Sequence, residues 1–177
     1  EILALQAILS EQVIRDPLTD LYNRRYLVET LPAEIAQANR AEYPLSVVML
    51  DLDHFKVLND THGHAAGDLV LVELGKFLRS NTRSSDILVR YGGEEFLIVL
   101  INCSQEAAFS QVEKWRVEFP KQDIYYDGNV LRCAFSGGIA CYPDDGLHAD
   151  ELIQKADAAL YKAKAAGRNC TYKYSIL

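Results

Sequence analysis

Arg90-Tyr91-Gly92-Gly93-Glu94-Glu95-Phe96 separates two apolar runs, Ile87-Leu88-Val89 before it and Phe96 to Ile101 after it. Two glycines between strand-like runs predict a tight hairpin. Two adjacent glutamates then open the second strand. Carboxylates are poor strand formers and repel one another, so fold stability alone does not ask for them there. Glycine lets a large ligand approach the backbone, and carboxylates beside it can hold a metal ion.

Upstream, Leu45 to Leu50 reads as a buried strand that ends in Asp51-Leu52-Asp53. Positions i and i+2 of a strand point to one side, and burying an unpaired carboxylate is costly, so a cation is the simplest partner for this pair. If this strand lies beside the one carrying the glutamates, Asp51 and Glu94 can share one Mg²⁺, which takes only one or two carboxylates and fills its shell with water and phosphate oxygens. Taken alone, Asp51 and Asp53 also fit plain strand ends at the surface. The Gly-Gly hairpin tips the reading toward a site.

The 177 residues, 49% hydrophobic and 24% charged, fit one soluble globular domain with a real core. A net charge of −7 argues against a general field for nucleic acid or anionic membrane, so a phosphate-rich ligand needs local cations or a metal. Cys103, Cys133, Cys141 and Cys170 form no CxxC pair and no zinc spacing, which predicts reduced thiols in a cytoplasmic domain. No run reaches transmembrane length and no secretory signal is visible. The chain opens without Met inside a helical pattern, so a longer parent is expected, and its membrane anchoring stays open.

Apolar Ile2, Leu5 and Leu9 predict a helix over residues 1–14, either packed on its own domain or forming a dimerising stalk. Asp16-Pro17 breaks it. Asn23 is the expected N-cap of a helix over 24–42. A helical turn over 55–60 and a loop from His62 to Asp68 are expected to lead into a helix over 68–80. Strands over 86–91 and 95–101 form the hairpin, and a helix over 105–118 buries Ala108, Val112, Trp115 and Phe119. A second hairpin turn at Tyr125 to Val130 opens a strand over 130–141, and Pro143 to Gly146 is a turn. An amphipathic helix over 149–166 stops at Gly167 before a last strand over 169–174. Helices interleaved with hairpins predict an α+β fold: a mostly antiparallel central sheet of about five strands flanked by helices.

Further residues can serve a nucleotide. Lys56, one turn after Asp53, can set a positive charge over a phosphate. Lys164 and Arg168, four apart at the end of a helix, can reach one anion, or can simply answer the helix dipole. Asn59 and Asp68 can read a guanine edge, the carboxylate accepting from ring N–H and amine while the amide donates to the carbonyl. Each also fits a cap or turn. His64, between Gly63 and Gly67, is either a base contact or a loop histidine held by backbone.

Phe55-Lys56-x-x-Asn59-Asp60, Gly63-His64-x-x-Gly67-Asp68 and Gly92-Gly93-Glu94-Glu95-Phe96 together resemble the GGDEF-type diguanylate cyclases. Asp16-x-Leu18-Thr19-x-Leu21-x-Asn23-Arg24-Arg25 resembles the family's opening segment, and Asp157-x-Ala159-Leu160-Tyr161-x-Ala163-Lys164-x-x-Gly167-Arg168-Asn169 its last helix. The likeness runs from Asp16 to Tyr172, dividing the chain into an N-terminal signalling helix over 1–15 and a cyclase domain over 16–177.

The resemblance implies a fold like the palm of nucleotide cyclases and polymerases. It implies condensation of two GTP into cyclic di-GMP and two pyrophosphates by a homodimer, each domain holding one GTP. By residue match, Asp51, the Leu52 carbonyl and Glu94 would hold Mg²⁺ or Mn²⁺, with Glu94 also accepting a proton from the ribose 3′-hydroxyl or positioning it. Glu95 and Lys56 would complete the catalytic group, Lys56 stabilising the transition state. Asn59 and Asp68 would bind guanine with His64 nearby, against Gly92 and Gly93. Lys164, Arg168 and the His54 and Phe55 amides would hold the triphosphate. Arg83-Ser84-Ser85-Asp86 matches the family's RxxD product-inhibition site in pattern and spacing, where cyclic di-GMP would cross-link domains away from productive pairing. A missing N-terminal sensor would be the regulating partner.

Two alternatives remain at this level. A non-catalytic receptor for cyclic di-GMP or GTP is disfavoured by the intact Glu94, Glu95 and Lys56. A cyclase or polymerase-like enzyme for another nucleotide is disfavoured by Asn59 and Asp68, because adenine presents a different donor pattern.

Overall fold

The computed structural model describes residues 13–175. The helix expected over 1–14, apart from its last two positions, lies outside them. The central strand β2 (Leu45–Leu52) is buried at all eight positions. It pairs antiparallel with β4 (Glu95–Ile101) on one side and β7 (Phe135–Tyr142) on the other. A strand in that position has both faces covered, which is why its sequence is a near-continuous apolar run rather than an alternating one.

Val48, Leu50 and Leu52 face one core layer with Val70 and Leu74 of α3 (His64–Ser80) and Val112 and Trp115 of α4 (Gln105–Glu118). Val47 and Met49 face the other, with Leu27 and Leu31 of α1 (Arg24–Ala41) and Leu152 and Leu160 of α5 (Ala149–Ala165). The pleat therefore carries Asp51, two residues beyond Met49, to the α5 side. The helix α5 lies directly on β7, because a Cβ on Gly138 would sit 2.2 Å from both Ala156 O and Leu160 N.

The sheet has six strands in the order β1-β3-β4-β2-β7-β8. The strand beyond the expected five is the two-residue β1 (Tyr22–Asn23), which runs parallel to β3 (Ile87–Arg90). The last strand, β8 (Thr171–Lys173), is parallel to β7, and the other pairs are antiparallel. Asn23 caps α1 as expected, its side chain accepting from Tyr26 N.

Two expected boundaries move. The loop from His62 to Asp68 is helical instead: α2 (Phe55–His62) and α3 are joined by Gly63 alone, whose φ of 90° makes the turn in one residue. The strand expected over 130–141 is split. Its start is β6 (Asn129–Leu131), paired with β5 (Ile124–Tyr126) in a separate ribbon, and β7 begins only at Phe135.

Candidate active site

The Gly-Gly turn is wider than a two-residue hairpin. Strand register ends at Arg90 opposite Phe96, and the Tyr91 and Gly92 amides both donate to Glu95 O, at 2.8 and 3.2 Å. Neither Gly92 nor Gly93 takes the positive φ that a tight primed turn requires. Glu94 therefore belongs to the turn, and only Glu95 opens β4. A Cβ on Gly92 would lie 2.5 Å from Glu95 Oε2, the mobile end of that side chain, while Gly93 faces open surroundings. Arg90 holds the turn: Nε and Nη2 donate to Gly93 O at 3.2 and 2.8 Å, and Nη1 lies 3.1 Å from Asp16 Oδ1. The other Asp16 oxygen accepts from the Thr19 amide and hydroxyl at 2.8 and 2.7 Å. Sequence reasoning quoted Arg90 and Asp16 as motif letters and missed this link, which no local pattern encodes.

Antiparallel register sets Asp51 opposite Glu95, and the Leu52 amide donates to Glu94 O at 3.3 Å. Both glutamates thus stand beside the end of β2. Asp51 is buried, with Oδ2 2.9 Å from Lys164 Nζ of α5. Burial pushes the Asp51 carboxyl above its ordinary range, and Asp53 adds to this, while Lys164 and Arg168 work the other way. Glu94 is raised by burial and then by the Asp51 charge, against Lys164. Glu95 is raised for the same two reasons and by Asp157, against Lys164 and Arg24. A cluster that holds its protons this tightly lacks positive charge. Among the described residues no three acidic, His or Cys side chains converge into a ready cage. Mg²⁺ needs no such cage, so two carboxylates and a carbonyl fit it chemically.

Asp53 turns its carboxylate to other partners. Its Oδ1 accepts from Ser136 Oγ at 2.7 Å and its Oδ2 from the Asn169 amide at 2.9 Å. Arg168, just before Asn169, is exposed and has a φ of 65°.

The second half of the site lies on α2 and α3. His54 precedes α2 with a φ of 55°, followed by buried Phe55 and exposed Lys56. A Cβ on Gly67 would fall 1.8 Å from Asn59 Oδ1, so glycine lets α3 close on α2 with Asn59 against the residue before Asp68. Asn59 Oδ1 is buried without a hydrogen-bond partner. Asp68 and His64 are exposed on the first turns of α3.

The family description "Diguanylate cyclase, GGDEF domain" matches residues 13–170. This chain belongs to that family. Diguanylate cyclase A of Treponema denticola is 39% identical over 164 residues, covering 91% of this chain and 44% of its own length. The coiled coil and GGDEF domain of DgcB from Caulobacter crescentus, solved in complex with c-di-GMP, superposes with a TM-score of 0.89 at 26% identity, covering 97% of this chain and 91% of that one. The active GGEEF domain of a diguanylate cyclase from Vibrio cholerae gives a TM-score of 0.80 at 35% identity over 88% of this chain and 98% of that one. The chain spans less than half the length of the curated relatives it matches.

In this GGDEF domain Arg83 and Asp86 stand at the start of β3, the end away from the glycine turn. Both Asp86 oxygens are taken by backbone, Oδ2 by the Arg83 amide at 2.9 Å and Oδ1 by the Ile101 amide at 3.1 Å. The Arg83 side chain is exposed and shares a cavity of about 340 Å³ with Arg15, Tyr22 and Arg79. No helix among the described residues is long and apolar enough to cross a membrane.

Proposed function

We propose that this domain condenses two GTP into cyclic di-GMP and two pyrophosphates, acting as a pair of domains that each bring one GTP. The observation that carries the reading is the meeting of Asp51, Glu94 and Glu95 with Lys164 at one strand end, in a chain of the GGDEF family. Asp51, the Leu52 carbonyl and Glu94 would hold Mg²⁺ or Mn²⁺. When bound, the ion lowers the pKa of the 3′-hydroxyl and offsets charge developing on the phosphate oxygens.

The chain's own groups account for the rest. Asn59 and Asp68 bind the guanine edge, with His64 beside them. The His54 and Phe55 amides, at the positive end of α2, receive phosphate oxygens together with Lys164 and Arg168. Glu94 accepts or orients the 3′-hydroxyl proton, Glu95 flanks it, and Lys56 offsets charge as pyrophosphate leaves.

Residues 16–177 form the cyclase domain and residues 1–15 a signalling segment. The domain is the output part of a longer sensor, a reading supported by the greater length of its relatives. Cyclic di-GMP bound at Arg83 and Asp86 restrains turnover. The test is chromatography of products from GTP and Mg²⁺: the domain yields cyclic di-GMP, and Glu94→Gln lowers the rate by about 100-fold or more. Robust turnover by that variant would overturn the mechanism, and equal turnover of ATP would overturn the guanine assignment.

A further inference from the structure

We propose that Asp53 is a positioning residue for the anion-gripping end of α5, and not a ligand of the metal. Both of its oxygens are spent on protein. Oδ1 accepts from Ser136 Oγ of β7 at 2.7 Å, Oδ2 accepts from the Asn169 amide at 2.9 Å, and that amide is also shared with Ser136 Oγ at 3.1 Å. Asp53 and Ser136 are 7% and 0% exposed, and the bond between them is buried, while the two bonds to the Asn169 amide are partly buried.

What this clamp holds is an unusual turn. Gly167, Arg168 and Asn169 follow α5 with φ of 112°, 65° and 46°. Glycine adopts such values freely, but arginine does not, and consecutive left-handed residues persist only where surroundings over-determine them. The Asn169 amide is fixed by Asp53 and Ser136, and its side chain is fixed from α4, Arg116 Nη1 donating to Asn169 Oδ1 at 3.1 Å. Arg168 N donates back to Ala163 O at 3.1 Å. Arg168 itself is exposed, so no packing of its own selects this conformation. The buried carboxylate two residues beyond Asp51 therefore decides where the Arg168 guanidinium stands relative to the strand end. It does so through the backbone of the next residue.

This inference rests on the assignment of Lys164 and Arg168 to the triphosphate. Three variants separate it from a metal-ligand role. Asp53→Ala removes both acceptors, and Ser136→Ala removes the shared hydroxyl. Asp53→Asn keeps an acceptor for the Asn169 amide, because Ser136 Oγ can turn to accept from the new side-chain NH₂.

The first readout is exchange of the Asn169 amide in the unliganded domain, expected to accelerate at least about tenfold in Asp53→Ala and Ser136→Ala and to be largely restored in Asp53→Asn. The second is affinity, with Mg²⁺ present, for an α,β-methylene analogue of GTP compared with guanosine. Asp53→Ala is expected to weaken the analogue about tenfold while leaving guanosine unchanged, and Asp53→Asn to recover most of the loss. Unaltered amide exchange in both clamp variants would overturn the proposal. So would an equal loss of analogue and guanosine. An Asp53→Asn variant as weak as Asp53→Ala, with a higher Mg²⁺ requirement, would make Asp53 a metal ligand. If the wild-type domain itself prefers the analogue no more than guanosine, the triphosphate assignment fails, and amide exchange still decides the clamp. Should Asp53→Ala not fold, Ser136→Ala carries both readouts.

Discussion

Asp51, Glu94 and Glu95 each hold a proton more tightly than an ordinary carboxylate, burial being the largest cause; the next of the same sign is the Asp53 charge for Asp51 and the Asp51 charge for both glutamates. Raised folded-state values mean that the native state favours the protonated groups. Their favourable contribution is complete below the unfolded values, about pH 4, and is lost as pH rises through the higher folded values. At neutral pH the metal-free cluster is therefore a source of instability. Glu94→Gln is expected to raise the Tm of the metal-free domain at about pH 7, with the gain disappearing near pH 4. Mg²⁺ should raise the wild-type Tm at neutral pH and lose that effect in acid. Thermal melts with and without Mg²⁺ at both pH values check this. A lower metal-free Tm for Glu94→Gln at neutral pH would show that the glutamate is structurally satisfied without a cation.

Helix α5 delivers Lys164 to the carboxylates, and its placement depends on a glycine in another element. At Gly138 the helix backbone rests on the strand backbone, with Ala156 O and Leu160 N each 2.2 Å from where a Cβ would stand. Backbone cannot swing aside as a side chain can. Gly138→Ala must push α5 outward, and unfolding in urea should show a loss of about 2 kcal/mol or more. The GTP KM should rise as Lys164 recedes. An unchanged midpoint would mean that the helix floats on the sheet.

Such contacts mark the limit of what the sequence discloses. The apolar run to Leu50, the Asn23 cap and the glutamates after two glycines are local patterns, and they located β2, α1 and the carboxylate end. The widened turn at Tyr91 to Glu94 depends on Glu95 O and on the Arg90 bridge to Asp16, which is distant in sequence. The early start of α3 depends on Asn59 resting on Gly67. The Asp53 clamp joins three elements, and Ser136 shows in the sequence only as a hydroxyl in an apolar strand.

At the scale of the molecule, the proposed product with its two guanylate halves would call for two domains, and each copy carries a net charge of −7. Like charges oppose pairing, so the isolated domain should be dilution-sensitive: while monomers dominate, tenfold dilution should cut specific activity about tenfold. The proposed restraint by product would act on the same encounter, since a cyclic di-GMP held by Arg83 would tie domains in an unproductive pairing. Arg83→Ala is the informative variant, because the Asp86 carboxylate is already bonded to the Arg83 and Ile101 amides and its removal would disturb β3 and β4 as well. Losing a charge-assisted contact should raise the half-inhibiting product concentration about tenfold or more. Progress curves at two protein concentrations separate the two effects. The dilution dependence should persist in Arg83→Ala while the plateau of accumulated product rises. A plateau identical to wild type would remove Arg83 from product control and leave encounter frequency alone in charge of the rate.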